Sequence, residues 1–253
     1  MNIYTYGSDK RLEFCRSYLL KKPPRAAEKL ILLPIPSFKG SDLIRTASVS
    51  ARDIVNEVKK GDSVAGYGLP KEFRRELSDK GVSALDIERD EEFVVDNAYL
   101  TAVGTVGKLL VEHTRAPLDL SIGVIGYGRI GERLVSALAY LRSEVTVFTS
   151  KTELSHELCM LGISGVPYAA LTEEEGRKKL LGLDVLINTA PAKIIPEEAA
   201  GYLSGVRLIE LASGNNFPDG VYYERFASVP AEVYPESAGI AMAKSILRMM
   251  GEL

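Results

Sequence analysis

The feature of the sequence that most constrains its fold is a glycine-rich turn between an apolar strand and a helix. The strand is predicted over Ser121–Ile125 and the helix from Glu132 to Leu141. The turn itself consists of Gly126, Tyr127, Gly128, Arg129, Ile130 and Gly131. Gly126 permits the tight bend, Gly128 lets the backbone approach a pyrophosphate, and Gly131 lets the helix pack closely on the strand. A second predicted strand, Glu144–Phe148, completes the unit that this motif requires. The sequence therefore predicts a Rossmann dinucleotide-binding domain in which the helix N-terminus faces the phosphates.

The residues after the second strand bear on which dinucleotide binds. NAD-specific sites have an acidic residue about 20 residues after the glycines, where it holds the ribose 2′-hydroxyl. This chain has Thr149, Ser150 and Lys151 at that place, and the first carboxylate is Glu153. Hydroxyl and ammonium groups suit a 2′-phosphate, because they donate hydrogen bonds and supply positive charge. We therefore expect NADP in preference to NAD. The alternative is a solvated loop that is indifferent to the phosphate.

Two further strand ends supply candidate cofactor contacts. Strands are predicted over Val185–Asn188 and Leu208–Leu211, and ligands of doubly wound sheets bind beyond the carboxyl ends of the strands. We expect both loops to border the nicotinamide end of the cofactor. The residues concerned are Asn188, Thr189, Ala190, Pro191, Ala212 and Ser213. Simple turns without a cofactor role are the alternative.

The chain is predicted to form two α/β domains. Apolar strands alternate with helices from Asn2 to Ile87, which favours a parallel sheet covered by helices on both faces. A long helical segment follows, and the proline-containing stretch Thr114–Asp119 is typical of a linker. We expect a smaller N-terminal flavodoxin-like or Rossmann-like α/β domain over residues 1–115, which includes this long helix. The Rossmann domain is expected over residues 116–253. A terminal helix over Ser237–Met250 either packs back on the first domain or forms a dimer contact.

Charge and cysteine content exclude several kinds of partner. The net charge of the 253 residues is −3, which offers no basic surface for nucleic acid. Cys15 and Cys159 lie far apart in the sequence, so we expect reduced thiols and no metal site. No signal peptide is evident, and no uninterrupted apolar run approaches the roughly 18–20 residues that span a bilayer. The sequence therefore predicts a cytoplasmic protein that does not bind membranes.

Neither of the two histidines is an evident acid/base catalyst. A 2-hydroxy-acid dehydrogenase needs an imidazole near the transferred hydride. His156 follows the second strand of the nucleotide domain, on the adenine side. For His113, near the end of the long helix, both a role at the helix dipole and a role in a cleft remain open. The sequence therefore identifies no catalytic residue.

A series of short motifs, in a fixed order along the chain, is similar to that of one known family. The motifs are Gly7-Ser8-Asp9-Lys10-Arg11, Leu33-Pro34-Ile35-Pro36, Asn97 to Thr105, Glu112-His113-Thr114, Gly126 to Gly131, Asn188-Thr189-Ala190-Pro191, Leu211-Ala212-Ser213 and Pro235-Glu236-Ser237-Ala238-Gly239. The glycine turn alone is unspecific, whereas the ordered series is fairly specific. On these residues the chain resembles the A chain of dipicolinate synthase along most of its length.

The resemblance implies an activity, a partner and a substrate site. Proteins of that family work with a flavoprotein-like second subunit, oxidise a dihydrodipicolinate-level intermediate to dipicolinate during sporulation, and are regarded as NADP-dependent. The substrate, a small dicarboxylate, would lie between the domains, with Arg11 and Lys39 supplying positive charge. The implied wall residues are Asp9, Arg11, Ser37, Asn97, Thr101 and Ser213. We also expect a homo-oligomer.

Departures from the family pattern keep other functions open. Gly214-Asn215-Asn216-Phe217 stands where the family has a basic residue and glycines, and Glu236 stands where it has a lysine. These changes leave cofactor binding intact but bear on the substrate. One alternative is a non-catalytic nucleotide-binding protein that regulates or scaffolds a partner. Another is a 2-hydroxy-acid dehydrogenase-like enzyme with a different substrate, which the histidine count disfavours.

Overall fold

The computed structural model describes residues 2–25, 28–40 and 42–253 and divides the chain into two compact units. The first unit comprises Met1–Leu100 and Ser228–Leu253, and the second comprises Thr101–Ala227. The boundary predicted at 115/116 therefore falls inside the second unit. Residues 228–253 belong to the first unit because side chains of this segment, such as Met242, are buried in its apolar core. As a result the two units are nearly equal in length.

Strands and helices alternate through most of the chain, which confirms the predicted α/β fold class. The strands are β1 (Asn2–Thr5), β2 (Lys29–Leu32), β3 (Phe38–Lys39), β4 (Leu43–Ile44), β5 (Ser63–Gly66), β6 (Ser83–Asp86), β7 (Ser121–Ile125), β8 (Glu144–Thr149), β9 (Ser164–Pro167), β10 (Val185–Asn188), β11 (Arg207–Glu210) and β12 (Glu224–Arg225). The α-helices are α1 (Lys10–Lys21), α2 (Ala51–Glu57), α3 (Lys71–Asp79), α4 (Glu91–Glu112), α5 (Arg129–Tyr140), α6 (Thr152–Met160), α7 (Glu174–Arg177), α8 (Val229–Val233) and α9 (Pro235–Met249). Short 3-10 helices cover Ile87–Arg89, Pro117–Asp119, Tyr168–Thr172, Lys178–Leu180 and Glu197–Leu203.

Four parallel strands form the main sheet of the first unit, in the order β1-β2-β5-β6. This order follows the chain and is simpler than the flavodoxin order 2-1-3-4-5. Successive residues of a strand point to opposite faces of the sheet. Leu30 and Leu32 accordingly lie in the core that includes residues of α1 and α9, whereas Ile31 lies in the core that includes residues of α2 and α3. The β3–β4 hairpin is antiparallel, and periodicity does not predict it because each strand has only two residues.

Helix α9 packs on α1 in backbone contact. A Cβ atom added to Gly239 would lie 2.6 Å from both the Arg11 carbonyl oxygen and the Phe14 Cβ, so only glycine permits this approach. Met242 and Ile246 of α9 are fully buried in the same core as Leu30. The terminal helix is therefore part of the first unit.

Six parallel strands form the sheet of the second unit, in the order β12-β11-β10-β7-β8-β9. Counted from β7 as the first strand, this is the doubly wound order 3-2-1-4-5-6 of dinucleotide-binding domains. The strand order reverses between β7 and β10, and ligands of such sheets bind beyond the carboxyl ends of the strands at this point. The predicted Rossmann domain is confirmed.

Helix α4 carries the chain from the first unit into the second. By length and composition it could cross a membrane, since a window of 18 residues has a mean hydropathy of 1.2, and 39% of that window is buried. The core helix of a globular protein meets the same criterion. Phe93 lies in the core of the first unit, and the buried Thr105 hydroxyl donates to the Thr101 carbonyl at 2.8 Å. Through Phe93, α4 therefore contributes to the core of the first unit.

Candidate functional site

The glycine turn lies at the carboxyl end of β7, and two of its three glycines have no room for a side chain. Gly126 has a φ of +93°, and a Cβ there would lie 2.7 Å from the Thr189 Oγ1. A Cβ at Gly131 would lie 2.2 Å from the Gly126 carbonyl oxygen, so α5 packs directly on the strand end. At Gly128, by contrast, no atom of the described residues lies within 4 Å of the Cβ position. The turn is therefore open at the position where the backbone would approach a pyrophosphate.

Helix α5 places its N-terminus at this turn. It begins at Arg129, with Gly128 as its N-cap and no side chain hydrogen-bonded to the cap. The first N–H groups of a helix lack partners within the helix and carry partial positive charge. Arg129 is exposed and Ile130 is partly buried. The arrangement is that of an anion-binding helix end.

Tyr127 lies in the same turn and is partly buried. Burial raises the pKa of Tyr127, and the negative charges of Glu132 and Glu157 raise it further. The phenol therefore stays neutral at physiological pH and can donate a hydrogen bond.

The end of β8 has one buried and two exposed residues of the predicted 2′-phosphate site. Thr149 is only 2% exposed, and its Oγ1 accepts a hydrogen bond from the Lys151 N–H at 3.2 Å. This hydroxyl therefore shapes the turn, and its geometry does not favour contact with a cofactor. Ser150 and Lys151 are exposed, and α6 begins at the next residue. The groups open to a 2′-phosphate are thus the Ser150 hydroxyl, the Lys151 ammonium and the N-terminus of α6.

The loop after β10 is held by its own side chains. The buried Asn188 amide donates to the Ala190 carbonyl at 2.9 Å and accepts from the Ala190 N–H at 3.1 Å. The Thr189 Oγ1 donates to the Ile125 carbonyl at 2.8 Å and so joins the ends of β10 and β7. Both side chains, predicted as cofactor contacts, have protein partners. Pro191, the last residue of this motif, is exposed.

The loop after β11 depends on a carboxylate that the sequence pattern did not reveal. Glu210 is fully buried and accepts hydrogen bonds from the Asn188 Nδ2, the Ala212 N–H and the Asn216 Nδ2, at 2.9, 2.9 and 3.1 Å. Burial raises the pKa of Glu210, although these donors act to lower it. The signal in the sequence was a single carboxylate in the otherwise apolar predicted strand Leu208–Leu211. A charge buried in such a strand requires partners. In the same loop Ala212 is partly buried and Ser213 is exposed.

The predicted substrate residues of the first unit include a buried ion pair. The Arg11 Nη2 lies 2.7 Å from the Asp9 Oδ2, and the two side chains are 3% and 7% exposed. Arg11 also donates to the Ile35 carbonyl at 2.8 Å, and Asp9 accepts from the Ile35 N–H at 3.1 Å. Burial acts to raise the pKa of Asp9, but the hydrogen bonds and charge of Arg11 outweigh it, and the pKa is lowered. The pair fixes the loop after β2, so Arg11 is not the free cation that the sequence predicted for a substrate.

The other predicted substrate residues differ in accessibility. Ser37 is fully buried, and its hydroxyl accepts from one backbone N–H at 2.7 Å and donates to one backbone carbonyl at 2.8 Å. Lys39 is exposed on β3. On α4, Asn97 is partly buried and Thr101 is 8% exposed. The structure thus brings Ser37 and the Asp9–Arg11 pair together around the loop after β2, at the carboxyl edge of the first sheet.

A cavity of about 200 Å³ lies beside the ion pair in the first unit. Its lining includes both signs of charge and two residues with positive φ, Thr46 at +58° and Ser228 at +52°. Such values are unusual outside glycine, and they occur preferentially at functional sites. The lining residues are Ser8, Asp9, Lys10, Pro34, Ile35, Arg45, Thr46, Ser228, Ala231 and Glu232.

Neither histidine is placed for hydride chemistry at the glycine turn. Burial acts to raise the pKa of Asp184, but the Ser121 N–H and the charges of Arg115 and His113 lower it. Ser121 begins β7, so this group, His113 included, lies at the amino end of the sheet, opposite the turn. His156 is exposed on α6. Across residues 2–25, 28–40 and 42–253, no cluster of His, Cys, Asp and Glu suits a metal ion.

Comparison with known proteins shows likeness in fold. No family model and no curated protein matches the sequence. The A chain of dipicolinate synthase from Bacillus halodurans matches with a TM-score of 0.77 at 18% identity, over 100% of this chain and 98% of that one. The same protein from Bacillus subtilis matches with 0.76 at 17% identity, over 100% and 96%. A transhydrogenase from Sinorhizobium meliloti matches with 0.62 at 15% identity, over 98% and 92%. The resemblance to the dipicolinate synthase A chain is thus confirmed in the fold, which is that of a Rossmann-type dehydrogenase.

Proposed function

We propose that this chain is an NADP-dependent oxidoreductase of the same type as the dipicolinate synthase A chain. The observation that supports this most is the glycine turn, in which Gly126 and Gly131 are tightly packed while Gly128 is open. A turn with a purely structural role has no need of an open glycine between two closed ones. The strand order of the second sheet places the turn at the switch point, where dinucleotides bind in such domains.

The preference for NADP over NAD rests on the end of β8. The exposed Lys151 ammonium and Ser150 hydroxyl would bind a 2′-phosphate, and the first carboxylate, Glu153, already lies in α6. A 2′-hydroxyl would gain less from an ammonium group than from an acceptor such as a carboxylate.

The proposed substrate is a dihydropyridine dicarboxylate at the oxidation level of dihydrodipicolinate. Its oxidation removes a hydride and a proton and yields the aromatic pyridine dicarboxylate. A bound nicotinamide would accept the hydride. Because aromatisation is downhill, the protein needs mainly to bind and orient the ring, and water can accept the proton. This fits a structure in which neither His113 nor His156 is placed as a general base.

A dicarboxylate requires cationic or N–H donors. Since Asp9 neutralises Arg11, the candidate cations are Lys10 and Arg45, which line the cavity, and Lys39, which is exposed on β3. We assign the carboxylates of the substrate to these cations instead of Arg11.

Calorimetric titration with NADP and, separately, with NAD tests the proposal. We expect NADP to bind at least about tenfold more tightly, a difference of about 1.4 kcal/mol. Incubation with NADP and freshly generated dihydrodipicolinate should then increase the absorbance of reduced nicotinamide. Binding of neither dinucleotide would overturn the proposal.

A second candidate is a non-catalytic nucleotide-binding protein that regulates or scaffolds a partner. The observation that favours it is that Arg11, Ser37 and Asn188, three polar residues predicted to contact substrate or cofactor, are all buried and bonded to protein groups. NADP binding without turnover of the dihydropyridine dicarboxylate, by the chain alone or with the flavoprotein-like second subunit, would support this candidate.

The proposal includes an assembly in the cytoplasm, with a homo-oligomer of this chain and a flavoprotein-like second subunit. Large apolar side chains of the second unit offer contact surface, since Tyr140 and Met160 are each 89% exposed. Light scattering of the purified chain, alone and mixed with the flavoprotein-like protein, would measure both associations. A chain that stays monomeric and does not bind the flavoprotein-like protein would contradict this part of the proposal.

A further inference from the structure

The end of β11 holds a carboxylate with donors on several sides. Glu210 is 0% exposed, and its Oε1 accepts from the Asn188 Nδ2 and the Ala212 N–H, both at 2.9 Å. Its Oε2 accepts from the Asn216 Nδ2 at 3.1 Å. All three of these partners are donors. A glutamine in this place would therefore turn an N–H group toward another N–H group.

These donors belong to the two loops at the carboxyl edge of the second sheet. The Asn188 amide that binds Glu210 also forms the turn with Ala190. The Asn216 amide that binds Glu210 also donates to the Ser213 carbonyl at 2.9 Å. One carboxylate thus connects the loop after β10 with the loop after β11.

The side chain of Arg225 holds the second loop from its exposed side. Its guanidinium donates to the Ala212 carbonyl at 2.8 Å and also to the Gly214 carbonyl. Because Glu210 bonds to the Ala212 N–H and Arg225 to the Ala212 and Gly214 carbonyls, the backbone at residues 212–214 has little freedom to shift.

Burying this carboxylate costs stability that the surrounding donors do not fully offset, as the raised pKa of Glu210 indicates. Apolar residues would fill a purely structural position at lower cost. A glutamate at this position is therefore better explained by a role in orienting the two loops than by a gain in the stability of the fold.

We infer that Glu210 is a positioning residue that sets the loops at residues 188–191 and 211–214 around the nicotinamide half of the dinucleotide. The inference rests on the proposed function, because it assigns the ligand to the same edge of the sheet. Glu210 does not touch the ligand, since its side chain is enclosed. It acts through the Asn188 turn and the backbone at Ala212 and Ser213.

Glu210→Gln tests the inference when two ligands are compared by titration. NADP has the nicotinamide, whereas 2′-phospho-ADP-ribose has the same adenosine phosphates and lacks it. We expect the variant to weaken NADP binding or slow hydride transfer on the order of 10- to 100-fold, while the affinity for the fragment changes less than about twofold. Glu224→Gln is the matched control, because Glu224 lies on the neighbouring strand and pairs with Arg207 instead of a loop residue. It should leave both ligands unaffected.

If Glu210→Gln does not fold, Asn216→Ala removes one donor and keeps the carboxylate. It should show the same selective loss for NADP, to a smaller extent. Equal loss of NADP and the fragment, or no loss of either, would overturn the inference while leaving the proposed function standing. Failure of the wild-type chain to bind NADP, NAD or the fragment would overturn both.

Discussion

The two parallel sheets end in loops of opposite character. At the carboxyl edge of the first sheet, the side chains of Asp9, Arg11 and Ser37 are buried and bond to other groups of the protein. At the corresponding edge of the second sheet, the Gly128 position is open and Lys151 is exposed. Polar residues occur at strand ends in both units, but the second edge leaves more of its groups available to a ligand.

Residue type at the edge of a sheet does not by itself indicate a binding site. What matters is how many of its donors and acceptors already have partners in the protein. Arg11 has the right chemistry for a dicarboxylate, but its guanidinium is occupied by Asp9 and Ile35. The polar side chains at the first edge thus bond mainly to other protein groups. At the second edge, the Gly128 position and the Lys151 side chain remain accessible to a ligand.

Removing the buried cation of the first edge should have the largest effect on stability. Arg11→Ala leaves the Asp9 carboxylate buried without a counter-charge, and we expect the free energy of unfolding to fall by about 3–5 kcal/mol. Chemical denaturation measures this. Arg16→Ala on the same helix is the control, because Arg16 is exposed and donates to the Ile3 carbonyl instead of a buried charge. If Arg11→Ala and Arg16→Ala lowered the free energy of unfolding by equally small amounts, the ion pair would not be what stabilises the first edge.

Lowering the pH should change the free energy of unfolding in opposite directions through Asp9 at the first edge and Glu210 at the second. The pKa of Asp9 is lowered in the folded state, so its contribution to stability is complete above the unfolded pKa of about 3.9 and is lost as the pH falls through the folded-state pKa. The pKa of Glu210 is raised, so its contribution is present below the unfolded pKa of about 4.3 and is lost as the pH rises through the folded-state pKa. Both effects should be smaller than that of Arg11→Ala, because protonation preserves side-chain volume.

Urea denaturation at a series of pH values would measure this difference. Asp9→Asn should remove the loss of stability at low pH, and Glu210→Gln should remove the opposing contribution. The same pH dependence in both variants would contradict the assignment.

Substitution by alanine should have different effects at the closely packed Gly131 and at the open Gly128. Gly131→Ala places a Cβ 2.2 Å from the Gly126 carbonyl oxygen, and we expect a loss of about 1–3 kcal/mol in stability. Gly128→Ala meets no atom of the described residues within 4 Å, at a φ of −91° that alanine adopts readily, so stability should hold or rise slightly. NADP affinity should nevertheless fall in Gly128→Ala, as measured by calorimetry. Unchanged affinity would show that the open position is not the pyrophosphate site.

The smallest expected effect is on the choice between dinucleotides. Lys151→Ala should reduce NADP affinity by about tenfold, or about 1.4 kcal/mol, and leave NAD affinity unchanged. Lys179→Ala, another exposed lysine of the second unit, is the control and should change neither. A loss of NAD affinity equal to that of NADP would indicate that Lys151 does not contact the 2′-phosphate.

Features determined by neighbouring residues could be predicted from the sequence. The bounds of β7 and β10 agree with the predicted strands, and the roles of Gly126 and Gly131 follow from their conformation and packing. Helix α5 begins at Arg129 instead of Glu132, because Gly128 serves as its N-cap.

Features that depend on distant partners could not be predicted. Thr189 bonds to a carbonyl on β7 and Asn188 to a carboxylate on β11, and no periodicity reveals such pairings. For the same reason Glu210 was predicted only as part of the strand Leu208–Leu211, with no role of its own. The apolar face of α9 predicted burial but did not decide between packing on the first domain, which the structure shows, and a dimer contact.

The position of α9 has a consequence for the order in which the molecule can fold. Residues 101–227 form one continuous segment, so the second unit can acquire its core as soon as that segment is synthesised. The first unit must wait for residues 228–253, because Met242, Ile246 and Leu247 complete the apolar core around Cys15 and Leu19. Residues 1–100 therefore leave the ribosome before residues 101–227 but reach their native state after them.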